Sequence, residues 1–175
     1  DAQLNDPWRE GTIAFYERAC SVVFVSQDNL ETVKLQLAHP IRNARVIVNA
    51  PSYRLPETSS ECPQAEELRM VCVARLDIQD KGQDLLLEAL SDPRWRDRCW
   101  RLDFYGEGGD RPYLERLTQY LGLSDRVHFH GHAQDVAAVY EVSHLLVLPS
   151  RCEGNPLALV EAFAVARPVV ATDVG

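Results

Sequence analysis

The chain has 175 residues, 46% of them apolar, with 18 Lys+Arg against 26 Asp+Glu and a formal charge of −8. That length predicts one domain, or one plus a part of another, able to bury a core without disulfides or metals. No apolar run approaches the roughly 18–20 residues of a spanning helix, no signal-peptide pattern opens the chain, and the acidic balance excludes broad binding along a nucleic-acid backbone. A small anion site remains open, and with only two lysines, Lys34 and Lys81, each is a candidate. The five cysteines (Cys20, Cys62, Cys72, Cys99, Cys152) are odd in number, scattered and without C-x-x-C. They read as free thiols of a reducing, cytoplasmic compartment.

Residues 8–19 have helical spacing, and CSVVFVS (20–26) is a β-branched run ending in the cap signal Ser26-Gln27-Asp28. NLETVKLQLA (29–38) reads as a helix closed by His39-Pro40, and ARVIVNA (44–50) as a second short buried strand. The aperiodic, Pro/Ser/Glu-rich residues 51–67 are the best linker. Beyond them, strands are expected at 68–74, 100–106, 126–132, 144–150 and 167–173, and helices at 81–91, 111–122, 134–143 and 155–166. Continuous apolar strands alternating with helices predict an α/β fold, a doubly wound parallel sheet covered on both faces. Ligands of such sheets bind beyond the carboxyl ends of the strands, so the residues after each strand carry the functional reading.

After the first of these strands comes RLDIQDKG (75–82), where Arg75 and Lys81 suit a diphosphate as a fork plus a point charge. The competing reading is a solvated loop whose cations pair with Asp77 and Asp80. There is no Walker pattern and no G-x-G-x-x-G here, which argues against a P-loop and against an oxidoreductase's dinucleotide module. Gly106-Glu107-Gly108-Gly109 follows the next strand and serves either close ligand approach or a plain turn. His128, His130 and His132 fall on one strand face, so they are open to a metal, to ordinary sheet positions, or to a pocket lined by 130–133. In PSRCEGNPLALVE (149–161), Glu153 sits in a loop, Pro156 suits a first helical turn, and Glu161 lies among apolar residues. A carboxylate placed there could accept two ribose hydroxyls, or pair with a local arginine.

These residues resemble the retaining, sugar-nucleotide-dependent glycosyltransferases of the GT-B fold, family four type (glycosyl transferases group 1). The resemblance covers 68–175, with weaker similarity in 8–50, and is carried by VARLDIQDKGQDLLLEAL, RLDFYGEGGDRPYLERL, DRVHFHGH, LLVLPSRCEGNPLALVEAFA and RPVVATDVG. Its most specific element is the pair Glu153 and Glu161, together with Arg75 and Lys81 at a strand end. It implies a Rossmann-like C-terminal half of a GT-B fold at 68–175, a linker at 51–67 and the tail of an acceptor-side N-terminal domain at 1–50. The donor, a UDP- or GDP-sugar, would be held by Arg75, Lys81, Gly106, His130, Gly131, His132 and Glu161. The sugar would meet Glu153, Gly154, Asn155, Pro156 and Leu157. Arg75, Lys81 and Glu153 would be the catalytic set, Arg75 and Lys81 stabilising the departing nucleotide without a metal. The acceptor would be a glycan, a lipid-linked sugar or a small molecule, with peripheral contact to the inner membrane face through a domain not in this chain, and with the isolated chain inactive.

The sequence departs from the family pattern at Phe163-Ala164-Val165-Ala166, at His144 where an aspartate is usual, and at Asn155, often aromatic or apolar. These touch the surroundings of the proposed ligands and leave sugar preference open. A sugar-nucleotide epimerase of the same fold and a non-catalytic nucleotide-sugar-binding domain are the competing functions. The paired-glutamate loop favours transfer over the first, and the presence of all four charged residues argues against the second.

Overall fold

The computed structural model describes residues 6–50 and 61–174, which divide into two compact units between residues 49 and 50. In the first unit, helix α1 (Asp6–Arg18) precedes strand β1 (Val22–Phe24), helix α2 (Gln27–Leu37) and strand β2 (Ala44–Val46). Ser26 caps α2 by accepting from the Asn29 amide, and Ala38 ends it in the left-handed region at φ 49°, one residue before His39-Pro40. Strands β1 and β2 pair in parallel over a small core of Phe24, Leu30 and Ile41. The expected buried strand over 44–50 is corrected here. Only 44–46 are strand, and Val46, Ile47 and Val48 are exposed, because a two-stranded sheet gives β2 a single neighbour.

The second unit is a five-stranded, all-parallel sheet of β3 (Leu68–Val73), β4 (Trp100–Tyr105), β5 (Val127–Phe129), β6 (Leu145–Leu148) and β7 (Val169–Ala171), in the order β5-β4-β3-β6-β7. The helices are α3 (Ile78–Lys81), α4 (Gln83–Leu90), α5 (Arg111–Tyr120), α6 (Val136–Glu141) and α7 (Leu157–Ala164), with a 3-10 turn at Pro93–Trp95. Period-two alternation divides each strand between two cores. Met70, Cys72, Leu102 and Phe104 pack with Leu86, Leu87 and Leu90 of α4 and Leu114 of α5, while Val71, Leu146 and Leu148 pack with Tyr140 of α6 and Ala158 and Ala162 of α7. The doubly wound parallel sheet is as expected. Of the expected linker, 51–60 lies outside the described residues, and 61–67 carries no helix or strand.

The helix expected over 81–91 is corrected in a way that matters for the site. It starts at Gln83, and Lys81 instead ends the short helix α3, capped by Asp77. Gly82 separates the two with φ 60°, and a Cβ at this position would collide with the carbonyl oxygen of Pro149. The helix breaks so that the chain leaving β6 can approach the chain leaving β3. These strands are neighbours because successive strands first build outward from β3 through β4 to β5, then return to its other side as β6 and β7. That reversal is the switch point where open α/β sheets bind ligands.

Candidate functional site at the carboxyl edge of the sheet

At the switch point Lys81 Nζ and Glu153 Oε1 form an ion pair of 2.7 Å, with side chains 22% and 14% exposed. The Ser150 hydroxyl donates to the same carboxylate oxygen at 2.7 Å. Cys72 of β3 is buried close to the pair. Burial pushes its thiol up to about 12, with Lys81 opposing the rise and Glu153 adding to it. Cys72 therefore stays protonated at neutral pH. Native protein at pH 8 should leave Cys72 unmodified by iodoacetamide while the exposed Cys20, Cys62, Cys99 and Cys152 react, as read by mass spectrometry of peptides.

Arg75 follows β3, and its guanidinium, 61% exposed, lies 2.9 Å from Asp77 and 3.1 Å from Asp80. Its backbone carbonyl accepts from the fully buried Gln83 side chain at 2.7 Å. Arg75 also lines a cleft of about 380 Å³ with Val73, Ala74, Tyr105, Gly106, Glu107, His132, Ala133 and Val136. All of these belong to strand ends or to the segments that follow them. Gly106, at φ 143°, has its amide on the Gly131 carbonyl at 2.7 Å and its Cα hydrogens against the Ala74 carbonyl, which binds the three strand ends together.

Glu161 is 5% exposed. It shares the buried face of α7 with Ala158 and Ala162, with buried Val165 just past the helix end, and accepts from the Tyr140 hydroxyl of α6 at 3.5 Å. Gly154, Asn155 and Pro156 are half-buried, and Leu157 opens α7 with Pro156 at its N-cap. This helix start has no side-chain cap, so its first amides can meet a ligand.

The profile of the glycosyl transferases group 1 family matches residues 67–175. An uncharacterised glycosyltransferase of Haemophilus influenzae is 36% identical over 91 residues, 52% of this chain and 26% of that protein. The alpha-D-kanosaminyltransferase of Streptomyces kanamyceticus is 34% identical over 97 residues, 54% of this chain and 25% of that protein. Among solved structures, HepE of Anabaena in complex with UDP and glucose superposes with a TM-score of 0.79 at 22% identity, over the whole of this chain and 50% of that one. The chain belongs to the group 1 glycosyl transferases. It spans about a quarter of the length of the two curated relatives.

In this group 1 chain the predicted residues fall into three places along the sheet edge. Lys81 and Glu153 touch each other, Arg75, Gly106 and His132 line the cleft, and Glu161 lies under α7 against Tyr140. For Arg75 the pairing with Asp77 and Asp80 weighed from sequence is present, whereas Lys81 turns to Glu153 instead. His130 is absent from the residues lining the cleft. Its ring stacks on Tyr105 at 4.6 Å and its Nε2 is hydrogen-bonded to Asp103, which Arg101 also holds in a fork. The strand expected over 126–132 stops at Phe129, so His132 leaves the face it would share with His128 and His130. No group of three or more His, Cys, Asp or Glu suited to a metal occurs among the described residues.

Sequence reasoning missed Ser150, Gln83 and Asp103, and it missed a bridge between Arg151 and Asp84. Arg151 Nη1 and Nη2 meet the two Asp84 oxygens at 2.7 and 2.9 Å, and this hydrogen-bonded guanidinium holds the Asp84 carboxyl below its ordinary value. The Arg151–Asp84 and Asp103–His130 pairs have no sequence signal, since their partners lie 67 and 27 positions apart, whereas Ser150 and Gln83 bond within their own segments, to Glu153 and Arg75. His144, one of the departures from the family pattern, accepts from the Arg69 amide through Nδ1 at 3.0 Å. It enters β6 through a bond that a carboxylate could also make.

Proposed function

We propose that residues 68–175 bind a nucleotide-diphosphate sugar and that the protein transfers the sugar to an acceptor with retention of configuration. The observation that carries this reading is the Lys81–Glu153 pair at the switch point, next to a cleft that Arg75 enters. Lys81 and Arg75 supply the positive charge that a diphosphate needs as it departs, and both begin partly neutralised by carboxylates that the ligand would displace. The cleft has the volume of a small-ligand site and would take the nucleobase between Tyr105, Gly106, His132 and Ala133. Glu161 holds the ribose hydroxyls, and Glu153 with residues 154–157 faces the sugar. HepE, which shares the fold, was crystallised with UDP and glucose, and this supports a nucleotide-sugar donor, which we read as a UDP- or GDP-sugar. The first 50 residues belong to an acceptor-side domain, with 51–67 as the linker and a glycan, lipid-linked sugar or small molecule as acceptor. No described helix is long and apolar enough to cross a membrane.

Titration calorimetry of the chain with UDP and with GDP tests this. Saturable binding of one of them is expected, and no binding of either overturns the reading. Glu161→Gln should weaken the nucleotide that binds by roughly tenfold, as for a hydrogen bond to a charged group. The affinity of its 2′,3′-dideoxy counterpart should not change, because the hydroxyls that Glu161 accepts are missing from it.

A further inference from the structure

The loop that carries Glu153 is strapped to the turn that carries Lys81 by contacts none of which involve either residue. The amides of Arg151 and Cys152 both donate to the Asp80 carbonyl, at 2.8 and 3.1 Å. The Arg151 side chain crosses the same gap, with Nη1 donating to the Ile78 carbonyl and the guanidinium forked onto Asp84. Asp84 is on the first turn of α4 with its side chain 15% exposed, while that of Arg151 is 37% exposed, so the fork is covered on its Asp84 side and open on the other. Arg151 thus joins the last turn of α3, the first turn of α4 and the loop after β6, and Gly82 is the residue whose missing side chain lets them close up.

We propose that Arg151 is a positioning residue, which through Asp84 and Ile78 presets the distance and direction of Lys81 and Glu153 toward a bound diphosphate. The role rests on the donor-binding reading above. Without the strap, the two amide bonds to Asp80 lose the side-chain clamp that orients them and open more often. Lys81 and Glu153 then sample several arrangements, and the ordering cost falls on binding. Lysine at 151 retains the charge but offers no planar fork, so it restores only part of the effect.

The test uses the whole chain and the variants Arg151→Met, Arg151→Lys and Asp84→Asn, with two readouts. Amide hydrogen exchange at residues 151 and 152 reports docking of the loop whether or not a nucleotide binds. Calorimetry compares UDP with uridine, or GDP with guanosine, because a general loss of structure weakens both members of a pair. The expected result is exchange at least tenfold faster in Arg151→Met and Asp84→Asn. UDP or GDP binding should be about tenfold weaker, nucleoside binding unchanged, and Arg151→Lys intermediate in both. Exchange that is unchanged overturns the proposal, as does faster exchange with undiminished diphosphate affinity, or equal losses for nucleotide and nucleoside. A wild-type chain that binds neither UDP nor GDP overturns the donor reading itself, separately visible because the exchange measurement needs no ligand.

Discussion

Lys81→Ala should reduce the proposed sugar transfer by about 10²–10³-fold, the scale seen when one group facing the developing charge of a transition state is removed. Lys81 stands on the last turn of α3 with its ammonium 2.7 Å from Glu153, in a position where water is partly excluded. When the bond to the sugar breaks, the diphosphate leaves with added negative charge, and an ammonium already in place needs no reorganisation to meet it. A nucleotide that binds must also overcome Glu153, which shares the site and repels it. Glu153→Gln should therefore strengthen UDP or GDP binding by at least about 1 kcal/mol, roughly fivefold, the bulk-water value for one unit charge removed at close range. The same variant should lose transfer, since the carboxylate proposed to face the sugar is gone. Opposite signs for binding in Lys81→Ala and Glu153→Gln, measured by calorimetry beside a transfer assay, separate this account from one in which the pair is only structural. In that case both variants would weaken binding together with thermal stability.

Gly106→Ala is expected to destabilise the second unit by about 3 kcal/mol, combining a backbone conformation that side chains rarely adopt with overpacking. At φ 143° the new Cβ would run into the Ala74 carbonyl, whose own residue donates its amide to the Tyr105 carbonyl. Neither backbone can yield without loosening the junction of β3, β4 and the 130–133 segment. A fall in melting temperature of about 10 °C by calorimetry is the expected readout, with nucleotide affinity declining as the cleft opens. Gly109→Ala, three residues on, meets nothing within 4 Å and should stay within about 0.5 kcal/mol of wild type. Equal stability of the two variants would show that the close approach at Gly106 is dispensable.

Much of the second unit was legible before any coordinates, for a physical reason. A strand buried on both faces must be apolar throughout, so LRMVCVA and HLLVLPS declare themselves, and the helices between them keep one apolar stripe. The candidate site was legible in its charges, because Lys81 and Glu153 are conspicuous at strand ends and Glu161 among apolar neighbours. The break at Gly82 was not. A glycine inside a helical pattern reads as a mild defect until the Pro149 carbonyl is seen where its side chain would be. Strand β2 misled for a related reason, since β-branched residues signal a strand but not how many neighbours will cover it.

Length, composition and charge left room for one domain plus part of another, held no apolar run long enough for a spanning helix, and argued against broad nucleic-acid binding. Local sequence also determined the alternation of strands and helices and the chemical types at each strand end, because these depend on residues close together in the chain. Tertiary structure alone decided which strand ends meet. Glu153 reaches Lys81 across 72 positions, Arg151 reaches Asp84 across 67, and Asp103 reaches His130 across 27. These pairings follow from the strand order β5-β4-β3-β6-β7, in which the chain returns past its own starting strand. The small anion site that an acidic chain could still hold is assembled at that return. The proposed site needs few basic residues, because the fold brings Lys81 and Arg75 to one edge of the sheet and Arg151 braces the loops between them.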